Sequence, residues 1–484
     1  MSEASVPDAR YRWATGYLRA LIQAPPGPPP GTPPEIVRLR AQRRLERLRD
    51  FLAYLGNPHR VYPVIHITGT SGKGSTAAFI ANILHVAGYR TGLHTSPYLQ
   101  VETEKLQIAG QLMAPERFAE EVAILDQAVR SWIARGGQPL TYGEFWTALV
   151  FQALRSERVD VAVIEVSVGG RFDLTNVVLP EVAVITTVGL DHVRTLGPTI
   201  RDITWHKAGI IKPGRPAITG VTDPELLAII AAEADAVGAS LAVVPEGSDY
   251  GVTSTGLGTT LTDLRTGHTF PIGLLGSYQA RNAALAIAAI RMLADRIGGR
   301  IDDETIARGL VTTRFPGRFE IIQETPPVIL DGAHNPQKMA ALLEALDALS
   351  VQGRRLALFG VLEGHDALTM ATMLAKSVDM VVLTTPRAFL RTAADPVELA
   401  AACQAKGTHA VTVDDPAEAL ALVLEMAQPN DLIVVTGSLY LIGHVREHWY
   451  PSSLIVTQRT CWPIRRSIAM QGAESACRQQ HGSV

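Results

Sequence analysis

The sequence predicts an α/β protein with two units, each built on a mostly parallel β-sheet. Segments such as Val161–Glu165 and Val182–Thr187 are apolar and β-branched without polar alternation, which is typical of strands buried on both faces of a parallel sheet. Helix-like segments separate these strands along the chain. The alternation breaks near 300–314 and restarts after Phe315-Pro316-Gly317, and a length of 484 residues also favours two domains.

The predicted elements follow from these patterns in order. Those of the first unit are a charged helix over about 35–55, a strand at Val64–Thr68, a helix to about Ala87, a strand at Thr91–Thr95, a helix over 142–155, strands at Val161–Glu165 and Val182–Thr187, a glycine-broken antiparallel patch over 250–271 and a helix over about 278–297. Those of the second unit are strands at 328–331, 356–360, 380–384 and 431–436, with helices at 336–349, 366–377, 395–406 and 415–427.

The domain boundaries are placed where the alternation is interrupted. We expect a first domain over 1–313 and a smaller second domain over 314–450. Residues 451–484 lose all periodicity, so we expect a loosely ordered tail there.

Composition excludes several classes of protein. Hydrophobic residues make up 47% and charged residues 19% of the chain, as in globular and not disordered proteins. A formal net charge of -3 gives no electrostatic reason to expect nucleic acid or a membrane surface as a partner. The three cysteines are scattered without metal-type spacing, which fits a reducing cytoplasm.

The strongest chemical signal is a glycine-rich run after the strand at Val64–Thr68. The run reads Gly69-Thr70-Ser71-Gly72-Lys73-Gly74-Ser75-Thr76. Its glycines let backbone N–H groups turn toward an anion, the following helix adds its positive end, and Lys73 adds a charge for the phosphates of ATP. The alternative is a plain strand-to-helix turn with an exposed lysine, but strand, loop, lysine and helix in register favour a phosphate loop.

Further motifs occur in a fixed order along the chain. They read His66-Ile67-Thr68 before the loop, Thr95-Ser96-Pro97-Tyr98-Leu99, Thr141-Tyr142-Gly143-Glu144, Glu165-Val166-Ser167-Val168-Gly169-Gly170-Arg171-Phe172-Asp173-Leu174-Thr175-Asn176, Asp191-His192, Lys207-Ala208-Gly209-Ile210, Phe315-Pro316-Gly317-Arg318, Asp331-Gly332-Ala333-His334-Asn335-Pro336 and Gly437-Ser438-Leu439-Tyr440-Leu441. Together with the loop, they resemble the folylpolyglutamate synthase/dihydrofolate synthase branch of the Mur ligase superfamily. The resemblance implies a Mur-ligase-like first domain with a P-loop and a smaller Rossmann-like second domain.

This resemblance also implies a reaction. An ATP-dependent ligase would add L-glutamate to a folate, either by polyglutamylation of tetrahydrofolate, by conversion of dihydropteroate to dihydrofolate, or by both. The substrate carboxylate becomes an acyl phosphate, which the amine of glutamate then attacks, and ADP and phosphate leave. The implied cofactors are ATP and Mg²⁺, and further expectations are a carbamylated Lys207 and a monovalent cation. We expect a cytoplasmic monomer that acts on small molecules.

The resemblance assigns Ser96, Glu165 and His192 as magnesium ligands. Glu165 ends a buried strand, where α/β sheets present ligands, although a strand-end glutamate can also cap a helix. Histidine is an unusual ligand for Mg²⁺, which prefers oxygen, and Ser96 before a proline could be a turn residue. The hydroxyls of Ser75 and Thr76 are further candidates to reach phosphate or metal.

Lys207 matches the family lysine that reacts with carbon dioxide to form a carbamate. The carbamate turns a cation into an anion that can hold a second metal ion. Only the neutral amine reacts, so this lysine needs a lowered pKa. An exposed helix lysine is the alternative, because lysine is rarely buried.

In the second unit the resemblance assigns Arg318 to the ATP phosphates and Asp331 to the nucleotide ribose. It assigns Asn282, from the first unit, to the adenine, and His334 as a helper in binding glutamate or phosphate. The alternatives are a surface ion pair for Arg318 and turn capping for Asp331.

The folate pocket is expected from two motif segments. Its candidate residues are Thr141, Tyr142, Gly143, Phe172, Asp173 and Leu174. Phe172 could pack on a flat ring, although buried aromatic side chains more often belong to a plain core. The departures from the family pattern are Gly143 for an aromatic residue, Ser167 for a glycine, His206 for a glutamate, Tyr278 for a histidine, and Glu363–Asp366 for a segment of which only the final aspartate is kept.

Other functions fit parts of the pattern. A Mur-type ligase for a cell-wall precursor would usually carry an extra N-terminal domain, whereas the phosphate loop begins near residue 69. A non-catalytic nucleotide-binding relative would be signalled by loss of Lys73, Glu165 or Lys207, and all three are present. A simple P-loop kinase would not account for the second unit.

Overall fold

The computed structural model describes residues 9–23, 27–29, 31–255, 258–297, 299, 301–364 and 366–464. The elements form two lobes, an amino-terminal lobe over Ala9–Thr312 and a carboxy-terminal lobe over Glu320–Arg446. Each lobe is built on a mostly parallel sheet, which confirms the predicted fold class.

The main sheet of the amino-terminal lobe has eight strands. They are β1 (Val64–Thr68), β2 (Thr91–His94), β3 (Gln107–Ile108), β4 (Gln111–Leu112), β5 (Val161–Glu165), β6 (Val182–Ile185), β7 (Ala217–Thr219) and β8 (Leu241–Val243). Their order is β4-β3-β2-β5-β1-β6-β7-β8, with β3 and β4 antiparallel at one edge. Every residue of β1, β5 and β6 is buried, which explains why β5 and β6 lack polar alternation.

Helices cover both faces of this sheet. They are α1 (Ala9–Ala20), α2 (Pro34–Tyr54), α3 (Lys73–Val86), α4 (Pro115–Ala134), α5 (Tyr142–Ser156), α6 (Val193–Leu196), α7 (Ile200–Ala208), α8 (Pro224–Ala236), α9 (Gln279–Ile297) and α10 (Asp303–Thr312), with 3₁₀ turns at Pro58–Arg60, Glu102–Lys105 and Leu174–Val177. Val64 faces the core formed with α1, α2, α4 and α5, whereas Ile65 faces the core formed with α3, α9 and α10. Strand alternation therefore places neighbouring residues of β1 in different cores, and a third core lies between β6, β7 and helices α7 and α8.

A small antiparallel sheet accompanies the main one. Its strands are β9 (Tyr250–Thr255), β10 (Gly258–Asp263) and β11 (Thr269–Ile272). It lies where the sequence predicts an antiparallel patch. Helices α1, α4, α8 and α10 and strands β7 and β8 were not predicted.

The carboxy-terminal lobe is a six-stranded sheet flanked by helices. The strands are β12 (Glu320–Glu324), β13 (Pro327–Leu330), β14 (Arg355–Phe359), β15 (Met380–Leu383), β16 (His409–Thr412) and β17 (Leu432–Thr436). The helices are α11 (Pro336–Asp347), α12 (Ala367–Ala375), α13 (Pro396–Gln404), α14 (Pro416–Met426) and α15 (Leu439–Arg446). The order is β12-β13-β17-β14-β15-β16, and only β12 among these strands pairs antiparallel. The edge strands β12 and β16 are too short and polar to show a clear pattern in the sequence.

The segment after the second lobe differs from the predicted loosely ordered tail. Residues 452–458 form helix α16, with bounds Ser452–Gln458. Ile455, Val456 and Cys461 are buried in the core that contains α1, α2, α4 and α5. The prediction is therefore wrong for 451–464, because these residues return to the amino-terminal lobe and bury apolar side chains there. Residues 465–484 lie outside the described part of the chain.

Candidate active site

The predicted phosphate loop connects β1 to α3. Its glycines are required by space as well as by conformation: a Cβ at Gly69 would lie 1.8 Å from Thr186 Oγ1, and one at Gly72, whose φ is +85°, would lie 2.2 Å from Asn282 Oδ1. Lys73 Nζ donates to the carbonyl oxygen of Gly69 at 3.0 Å. The lysine is therefore folded back over its own loop, where the phosphates of a nucleotide would lie.

The turn after β6 holds this loop in place. Thr70 N donates to Thr187 O at 2.8 Å, and Ser71 N donates to Thr187 Oγ1 at 2.9 Å. Thr186 Oγ1 donates to Ser71 O at 2.6 Å. Sequence reasoning missed Thr186 and Thr187; the signal was a pair of threonines at the carboxyl end of a buried strand next to β1.

Two hydroxyl groups at or just before the start of α3 have no hydrogen-bond partner among the described residues. Thr76 Oγ1 and Ser71 Oγ are buried and make no hydrogen bond with the described residues. Ser75 is also buried. Because a buried polar group without a partner is costly, these hydroxyls point to a bound ligand that accepts or donates hydrogen bonds.

Two of the three predicted magnesium ligands lie side by side. Glu165 ends β5, and its Oε2 accepts from the backbone N–H of Ser96 at 3.0 Å. The Ser96 hydroxyl lies 3.0 Å from the hydroxyl of Ser167, one of the departures from the family pattern. Burial raises the pKa of Glu165, while the charges of Lys73 and then Arg318 oppose that rise.

His192 is placed differently. It has a left-handed backbone with φ of 51° at the start of α6, and its side chain is 44% exposed. Burial in the cleft and the charges of Lys73, Lys338 and Lys207 lower its pKa, whereas Asp191, 3.9 Å away, raises it. A lowered pKa keeps the imidazole neutral, which is the form that can bind a metal.

The donors at this edge fit a hard cation better than a soft one. Within the described ranges, no three His, Cys, Asp or Glu side chains form a group that could hold a metal ion. The atoms present are the Glu165 carboxylate and the hydroxyls of Ser96, Ser167 and Thr76. Oxygen donors with room for water suit Mg²⁺.

Lys207 lies in the last turn of α7 and is only 3% exposed. Burial lowers its pKa well below the usual value of lysine, and the positive charges of Lys73 and Lys338 lower it further, against the opposing effect of Asp191. The predicted alternative of an exposed helix lysine is therefore wrong. The environment favours the neutral amine.

The carboxy-terminal lobe contributes Arg318 and Asp331 to the same region. Asp331 is buried, and its two carboxylate oxygens accept from Phe319 N at 2.9 Å and Ala333 N at 2.8 Å. Arg318 Nη1 donates to Gly317 O at 3.0 Å, and its guanidinium lies 5.4 Å from the centre of the Phe315 ring. Burial raises the pKa of Asp331, and Arg318 opposes the rise. Asp331 thus caps the turn, as the alternative predicts. Its carboxylate can still accept further hydrogen bonds, because each oxygen has a second lone pair.

His334 has both ring nitrogens engaged within its own lobe. Nδ1 lies 2.8 Å from Gly332 O, and Nε2 lies 2.9 Å from Lys338 Nζ. Lys338 Nζ also lies 3.7 Å from Asp191 Oδ2 of the other lobe. Burial lowers the pKa of Lys338 to about 8, and Asp191 opposes that shift. Sequence reasoning missed Lys338, which follows Asp-Gly-Ala-His-Asn-Pro by two residues.

Asn282 projects from α9 against the phosphate loop. Its Nδ2 donates to Gln279 Oε1 at 2.8 Å, and its Oδ1 occupies the space next to Gly72. Gln279 is fully buried, and its Nε2 has no partner among the described residues. The Nε2 of Gln279 is therefore a hydrogen-bond donor near the phosphate loop that none of the described residues uses.

The predicted folate residues form two groups. Thr141 caps α5, and both its N–H and its hydroxyl donate to Glu144 Oε2, at 2.8 and 2.6 Å. A Cβ at Gly143 would lie 3.1 Å from Leu174 Cδ1 and 3.3 Å from Arg44 Nη2, so Gly143 and Leu174 are adjacent. These neighbours occupy the space that an aromatic side chain would need at position 143.

The second group packs on α7. The ring centre of Phe172 lies 6.0 Å from that of Trp205 and 5.6 Å from that of His206. Asp173 accepts from Val168 N at 3.1 Å and holds the turn before Leu174–Val177. Phe172 therefore has aromatic partners within the protein, but it is only half-buried, unlike a residue of a plain core.

Tyr142, the remaining candidate, lies near a lysine. Lys105 Nζ lies 5.7 Å from the centre of its ring and 4.0 Å from that of Trp146. Tyr278 is another of the departures from the family pattern. Burial raises its pKa well above the usual value, and the negative charge of Asp331 raises it further. His365, within Glu363–Asp366, lies outside the described residues.

Comparison with protein families gives two matches. Residues 67–290 match the Mur ligase middle domain. Residues 317–439 match the glutamate ligase domain of Mur ligases. The two matched segments cover the phosphate loop and the Asp331–Lys338 region, respectively.

Individual relatives match over most of their length. The dihydrofolate synthase/folylpolyglutamate synthase of Bacillus subtilis is 33% identical over 427 residues, covering 83% of this chain and 94% of the relative. The folylpolyglutamate synthase of Lacticaseibacillus casei is 35% identical over 416 residues, covering 83% and 93%. The structure of Escherichia coli FolC in complex with DHPP and ADP superposes with a TM-score of 0.76 at 30% identity, covering 93% of this chain and 99% of that one.

No helix among the described residues combines the length and the apolar character that crossing a membrane requires.

Proposed function

The chain belongs to the dihydrofolate synthase/folylpolyglutamate synthase family of Mur ligases, and from this premise we propose how its residues carry out the family reaction. It is an ATP-dependent ligase that joins L-glutamate to a folate. The observation that carries the assignment of residues is the position of Gly74 in the phosphate loop, where a Cβ would lie 2.8 Å from the Phe315 ring and 3.6 Å from Glu165 Oε2. The loop, the strand-end carboxylate and the segment before Arg318 therefore meet at one place.

The phosphates of ATP bind at the start of α3. Backbone N–H groups of residues 72–75 and the positive end of the helix face the phosphates, and Lys73 neutralises part of their charge. Arg318 approaches them from the carboxy-terminal lobe. Asn282 and the unpaired Nε2 of Gln279 contact the adenine, and Asp331 accepts from the ribose with its remaining lone pairs.

The proposed site for Mg²⁺ lies at the ends of β5 and β6. Glu165, Ser96 and His192 would hold it, with Thr76 as a further hydroxyl, and it would neutralise charge on the transferring phosphate. Lys207 is proposed to be carbamylated, since burial favours the neutral amine that reacts with carbon dioxide. We also propose that a monovalent cation binds to the enzyme.

The folate carboxylate and glutamate meet between the lobes. In the first step an oxygen of the folate carboxylate attacks the γ-phosphorus, the bond to the bridging oxygen breaks, and ADP leaves with that electron pair. In the second step the neutral amine of glutamate attacks the acyl carbon, phosphate leaves, and the nitrogen loses a proton. Thr141, Tyr142, Gly143 and Leu174 line the folate side, together with Asp173 and with Phe172, whose ring packs on Trp205 of α7. His334 is proposed to help in binding glutamate or phosphate.

We further propose that the enzyme acts in the cytoplasm as a monomer. Cys403 and Cys461 are free and buried in the structure, in keeping with a reducing compartment. Gel filtration and cell fractionation test these two statements.

The test of the function uses purified protein and measures ADP release. Release should require both a folate and glutamate, and Lys73→Ala should lower it by at least about 100-fold, because a charge that faces the transferring phosphate is removed. Lys406→Ala, an exposed lysine of the other lobe, is the matched control and should keep full activity.

The substrates are then separated. Dihydropteroate and tetrahydrofolate are supplied one at a time with glutamate, and muramyl precursors serve as the alternative acyl substrates. Release of ADP with muramyl precursors alone, or Lys73→Ala protein that turns over at the wild-type rate with unchanged melting temperature, would refute the assignment.

A further inference from the structure

Lys338 is a charged residue of the cleft that the reaction described above does not use. It lies in the first turn of α11, where its backbone N–H donates at 2.9 Å to Oδ1 of the capping residue Asn335. Its side chain is 21% exposed. The residue is therefore fixed to a rigid helix end and does not move with a surface loop.

His334 orients the ammonium group of Lys338. Since Nδ1 of His334 lies 2.8 Å from a carbonyl oxygen, that of Gly332, Nδ1 must carry the proton. Nε2 is then an acceptor, and Lys338 Nζ at 2.9 Å donates to it. This bond uses one of three N–H groups of the ammonium and leaves two to face the cleft.

Asp191 is the counter-ion of Lys338 across the cleft. The distance of 3.7 Å between Nζ and Oδ2 allows an ion pair but is longer than a hydrogen bond. An acceptor that enters the cleft and lies within hydrogen-bond distance of Lys338 Nζ can therefore replace this contact at a small cost in free energy.

The charge of Lys338 acts on the phosphate side of the site. It lowers the pKa values of His192 and Lys207 and opposes the rise in the pKa of Glu165. These groups belong to the amino-terminal lobe and surround the end of the phosphate loop. A second donor lies beside Lys338: Asn335 is 7% exposed, and its Nδ2 has no partner within the described chain.

We propose that Lys338 is a further catalytic residue, which is held by His334 and exchanges Asp191 for the γ-phosphate of ATP as that group is transferred. The ammonium keeps its proton and donates a hydrogen bond to a phosphate oxygen, so no bond to Lys338 forms or breaks. It adds a cation from the carboxy-terminal lobe to the one that Lys73 supplies from the other lobe. This inference rests on the proposed function, because it concerns the same nucleotide.

The first test compares two nucleotides in binding experiments without folate or glutamate. A non-hydrolysable ATP analogue and ADP are titrated with Mg²⁺ into full-length wild type, Lys338→Met and Lys338→Arg. The affinity of Lys338→Met for the ATP analogue should fall about 10-fold, the loss expected for one charge-assisted hydrogen bond. Its affinity for ADP should stay within about twofold, because ADP lacks the γ-phosphate.

The second test measures turnover. In Lys338→Met, kcat should fall on the order of 100-fold while the KM for glutamate changes little, and Lys338→Arg should recover part of kcat. Lys376→Met, an exposed lysine of the same lobe, is the control and should behave as wild type.

Three results would overturn the proposal. They are an unchanged preference of Lys338→Met for the ATP analogue over ADP, an unchanged kcat, and a loss confined to the KM for glutamate, which would place Lys338 at the amino-acid side. The binding comparison stays informative if wild type shows no folate-dependent turnover, so failure of the proposed function can be told from failure of this inference.

Discussion

At the scale of single residues, the cleft gathers charged groups from both lobes. Lys73, Arg318 and Lys338 lie near Glu165 and oppose the rise in its pKa that burial causes. Burial by itself would raise the pKa of Asp191, but its neighbours, His192 first and then Lys338, outweigh it, so its pKa is lowered. The three cations can meet the negative charge of a polyphosphate.

Lys207 gives the prediction at this scale. A lysine that is 3% exposed has a lowered pKa, so a larger fraction is neutral at a given pH and able to bind carbon dioxide. Lys207→Ala should therefore lose activity by about 100-fold or more, since both the carbamate and its ligand role disappear. Short carboxylic acids added to the variant should restore part of the rate, and ADP release measures this.

The control for Lys207 is Lys212, four positions past the end of α7. Burial lowers its pKa to about 8, yet the charges acting on it are those of Arg49, Arg171 and Glu233, away from the phosphate loop. Lys212→Ala should keep turnover and show no response to small acids. Full activity of Lys207→Ala would contradict the carbamate proposal.

At the scale of elements, the start of α5 is held by helix α2. Thr141 and Glu144 form a capping box, and the fully buried carboxylate of Glu144 is paired with Arg47 of α2 at 2.7 Å. Gly143, in the same turn, faces Leu174. The position of this edge of the folate pocket therefore depends on an ion pair between two helices.

Arg47→Met should destabilise the protein by about 3–5 kcal/mol, because it leaves the carboxylate of Glu144 buried and unpaired. We also expect a raised KM for the folate and an unchanged KM for ATP, since the phosphate loop is on the other side of the sheet. Urea unfolding and steady-state kinetics measure the two effects.

Arg43, on the exposed side of the same helix, is the matched control. Arg43→Met should change stability by less than about 0.5 kcal/mol, as surface substitutions usually do. If both arginine variants have equal stability, the pairing of Glu144 with α2 does not determine the geometry of this helix start.

At the scale of the whole molecule, Arg446 joins the two lobes and the last described segment. It has no exposed side-chain surface and donates to Gln100 of the amino-terminal lobe at 2.6 Å, to Glu320 at 2.8 Å and to the carbonyl oxygen of Cys461 at 2.7 Å. Tyr450 lies under its guanidinium at 4.6 Å. One buried side chain thus fixes how the lobes meet.

Arg446→Met should cost about 3–5 kcal/mol, because Glu320 would be left buried without its partner. The expected result is a lower urea midpoint and an earlier loss of the carboxy-terminal lobe in hydrogen exchange. Arg387→Met removes an exposed ion pair with Asp415 in the same lobe and should cost at most about 1 kcal/mol. Equal midpoints for the two variants would show that Arg446 does not hold the lobes together.

Several site positions could be predicted from local order alone. Residues 69–76 follow a buried strand, and Glu165 ends another. The end of such a strand can be predicted from the pattern of a few neighbouring residues. Lys338 and Arg446 could not be found in this way, because their partners Asp191 and Gln100 are more than 100 positions away in the sequence. Edge strands such as β16 were missed since they are half-exposed and short.

The fold class, the phosphate loop and the family could all be predicted from the sequence alone, because they depend on residue order within segments of some ten residues. The tertiary structure decided which charges share the cleft, that Lys207 is buried, that His334 is bonded to Lys338, and that 451–464 returns to the amino-terminal lobe. Those facts depend on contacts between distant segments, and burial and pairing of a charge are fixed only when the chain has packed.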